Sequence, residues 1–172
     1  MKPSREEATP SPGFAVAASS SALPDPTASL ALLRGLLETQ RFAVLSTRHR
    51  DGHPYASLVA FRVDAELRQL VFCTRRSTRK FANLEAEGRV ALLIDDRSND
   101  EAALQQAAAV TVLGACVEAH GAEREALSGW FLQRHPAMSA FVQSEDCAVI
   151  KVEVHVFTLV TRFQELIEFH LV

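Results

Sequence analysis

The stretch VFCTRRSTRKFANL, residues 71–84, gathers the side chains best suited to holding an anion. An apolar run ends at Thr74. Arg75 and Arg76 follow, then Ser77 and Thr78, then Arg79 and Lys80. Serine and threonine hydroxyls cap helices by accepting a first-turn N–H, so a helix is predicted over 77–87. Cations in a first turn oppose the helix macrodipole by roughly 0.3–1 kcal/mol each. Four basic residues there work against the helix unless an anion sits among them. Free N–H groups, two hydroxyls, an ammonium and guanidinium forks together make a phosphate cradle. The bland alternative is a basic turn whose charges point into water. The glycine spacing of a nucleotide-binding loop is absent.

A second candidate is PYASLVAFRV, residues 54–63. A strand there could offer backbone groups to a flat heterocycle and the Arg62 cation to its polar edge. Otherwise Arg62 is an ordinary outward strand residue.

The remaining reactive residue types give weaker patterns. His49, His53, His120, His135, His155 and His170 form no HxxxH or HExxH pair on one helix, so no metal site is expected. Cys73, Cys116 and Cys147 show no CxxC spacing, which disfavours a disulfide framework or structural zinc. All three read as core residues, although cations near Cys73 would lower a thiol pKa. No GxSxG elbow marks a hydrolase. Asp95, Asp96, Asp100 and Glu101 suit a helix start, and Trp130 and Phe131 read as core.

The elements that must position the basic cluster are mostly strands. Asp25 and Pro26 open a helix whose Leu30, Leu33 and Leu37 share a face. Strands are predicted over 42–47, 55–63, 69–74, 89–95, 110–118 and 147–158, with a further one over 159–169. Asp51-Gly52 suits a tight hairpin turn between the first two. Helices are predicted over 98–107 and 123–134 besides the one after Thr74. Regular βαβ alternation is missing, which argues against a parallel sheet. About six hairpin-connected strands favour a closed antiparallel barrel, because closure removes exposed edges. Residues 1–25 carry four prolines among small and polar residues and read as a disordered arm. Residues 26–172 read as a single domain.

Composition narrows the function classes. The chain has 172 residues, 48% hydrophobic and 23% charged, with net charge −3. A polyanion-binding surface would be basic throughout, so nucleic acid is not an expected partner. No apolar run approaches the ~20 residues of a membrane span, and no signal peptide is evident, so a cytoplasmic protein is expected.

Three segments in order carry a resemblance: FAVLSTRHRDGHPYASLVAFRV, LVFCTRRSTRKFANLEAEGRVALLID and VTVLGACVEA. Their sequence resembles the pyridoxamine-phosphate-oxidase-related family of FMN-binding split barrels. The later FLQRHPAMSAFVQSEDCAVIKVEVHVFTLVTRFQEL is similar to the branch that includes haem-utilisation flavoproteins. The resemblance implies a mainly β fold, a six-stranded antiparallel split barrel with flanking helices. It implies a homodimer with FMN at the subunit interface, acting as an oxidoreductase on an unidentified substrate. Thr78, Arg79 and Lys80 match the residues that bind the FMN phosphate, and Thr74 matches a residue assisting them. Ser57, Leu58, Val59, Ala60, Phe61 and Arg62 match the strand along the isoalloxazine, with Arg62 at its pyrimidine edge. Arg162 or Gln164 would reach the flavin across the dimer.

The departures argue against the activity of the name-giving oxidase. Pyridoxamine-phosphate oxidases carry an arginine where this chain has Ser57 and a glutamine where it has Ala109. Their C-terminal substrate motif is not visible in residues 161–172. The competing reading is a non-enzymatic split barrel, carrying haem, sensing flavin, or holding no cofactor.

Overall fold

The computed structural model describes residues 13–18, 25–98, 107–161 and 165–171. Most of the predicted 98–107 helix, and Arg162, Phe163 and Gln164, lie outside them. The strands are β1 (Phe14–Ala18), β2 (Phe42–Arg48), β3 (Pro54–Val63), β4 (Gln69–Arg75), β5 (Arg89–Asp95), β6 (Ala109–Glu118), β7 (Cys147–Thr161) and β8 (Glu165–Leu171). The helices are α1 (Pro26–Thr39), α2 (Arg79–Ala86), α3 (Gly121–Arg134) and the short α4 (Ser139–Val142). No described helix is long and apolar enough to cross a membrane.

Every pairing is antiparallel. The order is β1-β8-β7-β4-β3-β2-β5-β6, and β6 returns to pair β7. Strands β2 to β7 thus close a six-stranded barrel. The long β7 makes closure possible. Its first half pairs β4 (Cys147↔Arg75 to Glu153↔Gln69), its second half pairs β8, and β6 runs along its other edge. The mainly β split barrel expected from the sequence is the fold observed.

Alternation sorts the side chains. In β2, Ala43, Leu45 and Thr47 are buried, while Phe42 and Arg48 are exposed. Phe61, Phe72, Phe157 and Phe169 fill the barrel interior. Strand β4 is buried on both faces, because Val71 and Cys73 turn outward beneath Phe131 of α3 and Val142 of α4. That explains its unbroken apolar run, VFC.

Local chemistry sets the boundaries. The Asp25 carboxylate caps α1 by accepting the Thr27 N–H at 3.0 Å, with Pro26 at the first helical position. Leu33, Leu36 and Leu37 face the barrel. The β2–β3 connection is a five-residue loop, wider than the tight turn expected. His49 and His53 close it, and Gly52 adopts φ 94°. In the β3–β4 turn, Leu67 takes φ 60°, unusual for a branched side chain. The Asp64 carboxylate accepts the Arg68 and Gln69 N–H groups there, and the Leu67 side chain is buried.

One expectation is corrected. Phe14–Ala18, inside the stretch read as a disordered arm, forms a strand that pairs β8 from Phe14↔Leu171 to Ala18↔Ile167. The Phe14 ring lies edge-on to Phe169 at 6.1 Å. Ala15, Val16 and Ala17 stay exposed, so the ladder to β8 and the packing of Phe14 on the core hold this short run.

Candidate functional site

Strand β4 delivers the chain to α2 at the barrel rim, and the basic cluster straddles that junction. Thr78 is the α2 cap. Its hydroxyl accepts the Phe81 N–H at 3.4 Å and lies 3.1 Å from Thr74 Oγ1. Thr74 is buried at the end of β4. An α-helix leaves its first N–H groups without intrahelical partners, and Thr78 satisfies only that of Phe81. Ser77 does not cap; its hydroxyl donates to Asp146 Oδ2 at 2.9 Å.

The four cations of the cluster do different things. Arg76 turns to the barrel wall, pairing Glu118 and donating to the carbonyls of Glu145 (3.0 Å) and Cys147 (3.1 Å). It is a structural residue. Arg75 lies exposed, 6.0 Å from the Phe141 ring. Arg79 and Lys80 instead point to the β2–β3 hairpin. The Arg79 guanidinium sits 3.3 Å from His49 Nε2 and 5.9 Å from the centre of the Tyr55 ring. Lys80 Nζ donates to the Leu58 carbonyl at 3.2 Å. Burial pushes the Lys80 pKa below the ordinary lysine value. Neither Arg79 nor Lys80 pairs with a carboxylate among the described residues.

The matched β3 segment divides by face. Val59 and Phe61 enter the core, so they can offer a ligand only backbone groups. Leu58 is 62% exposed on the outer face. Ser57 Oγ is buried and finds no hydrogen-bond partner among the described residues. A buried hydroxyl without a partner is costly, and this one lies next to Leu58, the residue Lys80 reaches. Ala60 is partly buried and packs under α3.

Arg62 is engaged by α3 rather than by the other matched residues. It lies 4.5 Å above the Trp130 indole and donates to the Trp130 carbonyl and to Gln133 Oε1. Helix α3 therefore holds it. Arg134 extends this cationic corner, donating to the carbonyls of Leu37, Glu38 and Gln40 at the C-terminus of α1. His135, buried behind it, has Nε2 2.8 Å from the Phe61 carbonyl.

The structure thus brings together Thr74, Thr78, Arg79, Lys80 and the Ser57–Leu58 segment, and sets Arg62 apart. Sequence reasoning missed His49 and Tyr55, whose contact with Arg79 depends on how the hairpin folds over α2. It also missed Asn83 and Thr47, buried beneath the site. A hydrophobic helix face carrying an asparagine was the one available signal. Among the described residues no group of three or more metal-ligating side chains comes together.

The residues present fit a phosphorylated flavin. Hydroxyls, first-turn helix N–H groups and two cations that meet no carboxylate among the described residues suit the phosphate, and the Ser57 hydroxyl, without a partner among those residues, suits a polar ligand atom.

A family model described as pyridoxamine 5'-phosphate oxidase matches residues 30–160. Comparison with curated proteins gives no match. Solved structures share the fold at low identity. The heme binding protein of Mycobacterium smegmatis is 21% identical with TM-score 0.71, over 83% of this chain and 58% of that one. HutZ, the heme storage protein of Vibrio cholerae, is 13% identical with TM-score 0.65, over 77% and 93%. A protein of Clostridium acetobutylicum related to general stress protein 26, of the pyridoxinephosphate oxidase family, is 14% identical with TM-score 0.65, over 83% and 95%. The chain spans less than two thirds of the mycobacterial protein.

Proposed function

Because this chain belongs to the pyridoxamine 5'-phosphate oxidase family, we propose that it is an FMN-binding flavoprotein, an oxidoreductase of unidentified substrate. The supporting observation is that Arg79 and Lys80, beside the Thr78 cap, both reach the β2–β3 hairpin, with Lys80 bonded to the Leu58 carbonyl. Thr78, Arg79 and Lys80 would hold the phosphate, with Thr74 bracing Thr78. Residues Ser57 and Leu58 would lie along the ring. FMN, when bound, supplies the electron transfer. The chain's own residues would bind and orient it, with β3 beside the ring.

We further propose a homodimer. The outer face of β2, β3, β5 and β6 carries Phe42 (58% exposed), Leu58 and Leu113, with Val44 and Ala60 paired beside them. Exposed apolar side chains on one side of the sheet suit a second copy of the chain.

The test is the visible spectrum of purified protein with and without added FMN, followed by identification of any released cofactor. Bound FMN, weakened more than about tenfold by Arg79→Ala or Lys80→Ala, supports the reading. A protein that ignores FMN overturns it. The second reading, a haem-carrying module without catalysis, draws on the structural likeness to heme binding proteins. Haemin titration of the flavin-free protein tests it. Substrate-dependent bleaching of bound flavin separates an enzyme from a carrier.

A further inference from the structure

Under α2 two polar side chains, Asn83 and Thr47, are buried beside the apolar Phe81 and Leu84. Asn83 is 2% exposed and Thr47 4%. Asn83 Nδ2 donates to Thr47 Oγ1 at 2.9 Å, and Thr47 Oγ1 donates to the Tyr55 carbonyl at 3.3 Å. This relay joins α2 to β2 and β2 to β3. Burying an amide and a hydroxyl is unfavourable unless both are paired. Apolar residues of the same shape could fill the space with no such requirement. What the polar pair adds is direction, since hydrogen bonds fix an orientation that apolar contact leaves loose.

The orientation concerns the candidate site. Asn83 lies four residues beyond Arg79, on the same side of α2. Arg79 lies against the ring of Tyr55, the residue whose carbonyl ends the relay. Lys80 reaches Leu58 three residues further along β3. Three side chains of one short helix therefore address one hairpin, and only Asn83 does so from inside the barrel.

We propose that Asn83 and Thr47 are positioning residues of the anion cradle. Their buried relay to the Tyr55 carbonyl fixes the N-terminus of α2 against β3, so that Thr78, Arg79 and Lys80 converge on one phosphate group. Neither residue touches the anion. The proposal rests on the FMN reading above and adds to it the device that sets the cradle's geometry.

FMN and riboflavin differ only in the phosphate, so the pair isolates the cradle. The affinity of each is measured by quenching of flavin fluorescence on titration with the flavin-free full chain. Thr47→Val and Asn83→Leu are expected to weaken FMN about tenfold, roughly the loss of one well-placed hydrogen bond. Riboflavin affinity is expected to stay within about twofold of the parent in both variants. Thr47→Ser, which keeps the hydroxyl, is expected to retain parental FMN affinity. Thr47→Val preserves side-chain shape, so it decides the matter if Asn83→Leu fails to fold. Equal weakening of both flavins would mean general loosening of the barrel and overturns the proposal. So does parental FMN affinity in Thr47→Val. If Arg79→Ala and Lys80→Ala lose FMN while Thr47→Val does not, the cradle stands and the positioning role falls. If the parent protein itself shows no preference for FMN over riboflavin, the cradle and its positioning fall together.

Discussion

Lys80 Nζ lies 3.2 Å from the carbonyl oxygen of Leu58, so a charged group on α2 reaches across the rim to a backbone acceptor on β3. Ammonium groups seldom lie half-buried with a lone carbonyl for company. The contact ties together the two segments that would hold opposite ends of an extended ligand.

A pH dependence follows from that burial. Burial holds the Lys80 pKa below the ordinary lysine value of about 10.4, so its charge is lost earlier as pH rises. FMN affinity is expected to fall on the alkaline side before ordinary lysines titrate. Lys80→Arg should move that fall to higher pH. Dissociation constants measured between about pH 7 and 10.5 check this; a flat profile would remove Lys80 from the cradle.

His135 makes global stability pH-dependent in the opposite sense. Burial holds its pKa below the free value, with Arg134, Arg41 and Arg62 pushing the same way against the Phe61 carbonyl. The unfolded chain therefore takes up the proton first. Stability is fully present above about pH 6.5 and declines as pH falls through the lowered native value, by at most about 1.4 kcal/mol per unit. His135→Gln keeps a donor for the carbonyl and should flatten the urea midpoint against pH across this range.

Gly114 sits at the irregularity in β6–β7 pairing, between Leu113 and its own position. A Cβ there would run into the Glu153 carbonyl oxygen and come within 2.9 Å of Val152 Cγ1. Backbone atoms of a closed barrel have little room to give. Gly114→Ala is expected to cost at least about 2 kcal/mol of stability, read from denaturant unfolding. Gly129→Ala, where a Cβ meets nothing within 4 Å, is the matched control.

Arg134 donates to three carbonyls at the end of α1, at 3.3, 2.6 and 2.6 Å, and Arg41 donates back to the Arg134 carbonyl at 2.7 Å. A cation there complements the helix C-terminus. Arg134→Leu is expected to lower stability by about 1–3 kcal/mol and to speed amide exchange in the last turn of α1.

Much of this molecule was legible in the sequence, and the illegible parts share a cause. Strands β2 to β6 were readable because alternation and turn residues are local signals. The Thr78 cap and its neighbouring cations were readable for the same reason. The division of labour among those cations was not. Arg76 and Arg79 are three residues apart, yet Glu118 claims one and His49 with Tyr55 meets the other. Those partners are fixed by how β6 and the β2–β3 hairpin fold back. Arg62 shows the same limit, since its partner Trp130 lies 68 residues on. Phe14–Ala18 was missed because its stability comes entirely from β8, at the far end of the chain.

The two-edged pairing of β7 also sets the order in which the molecule becomes safe from itself. Strands β4 and β6 each expose a backbone edge until Cys147–Thr161 arrives between them. During synthesis those strands leave the ribosome before their shared neighbour. For that interval the nascent chain carries two unprotected ladders of N–H and C=O groups, the kind that recruit other strands. A chain cut short before β7 would keep both open permanently. Such fragments would gather into aggregates, where the full-length chain folds into a barrel.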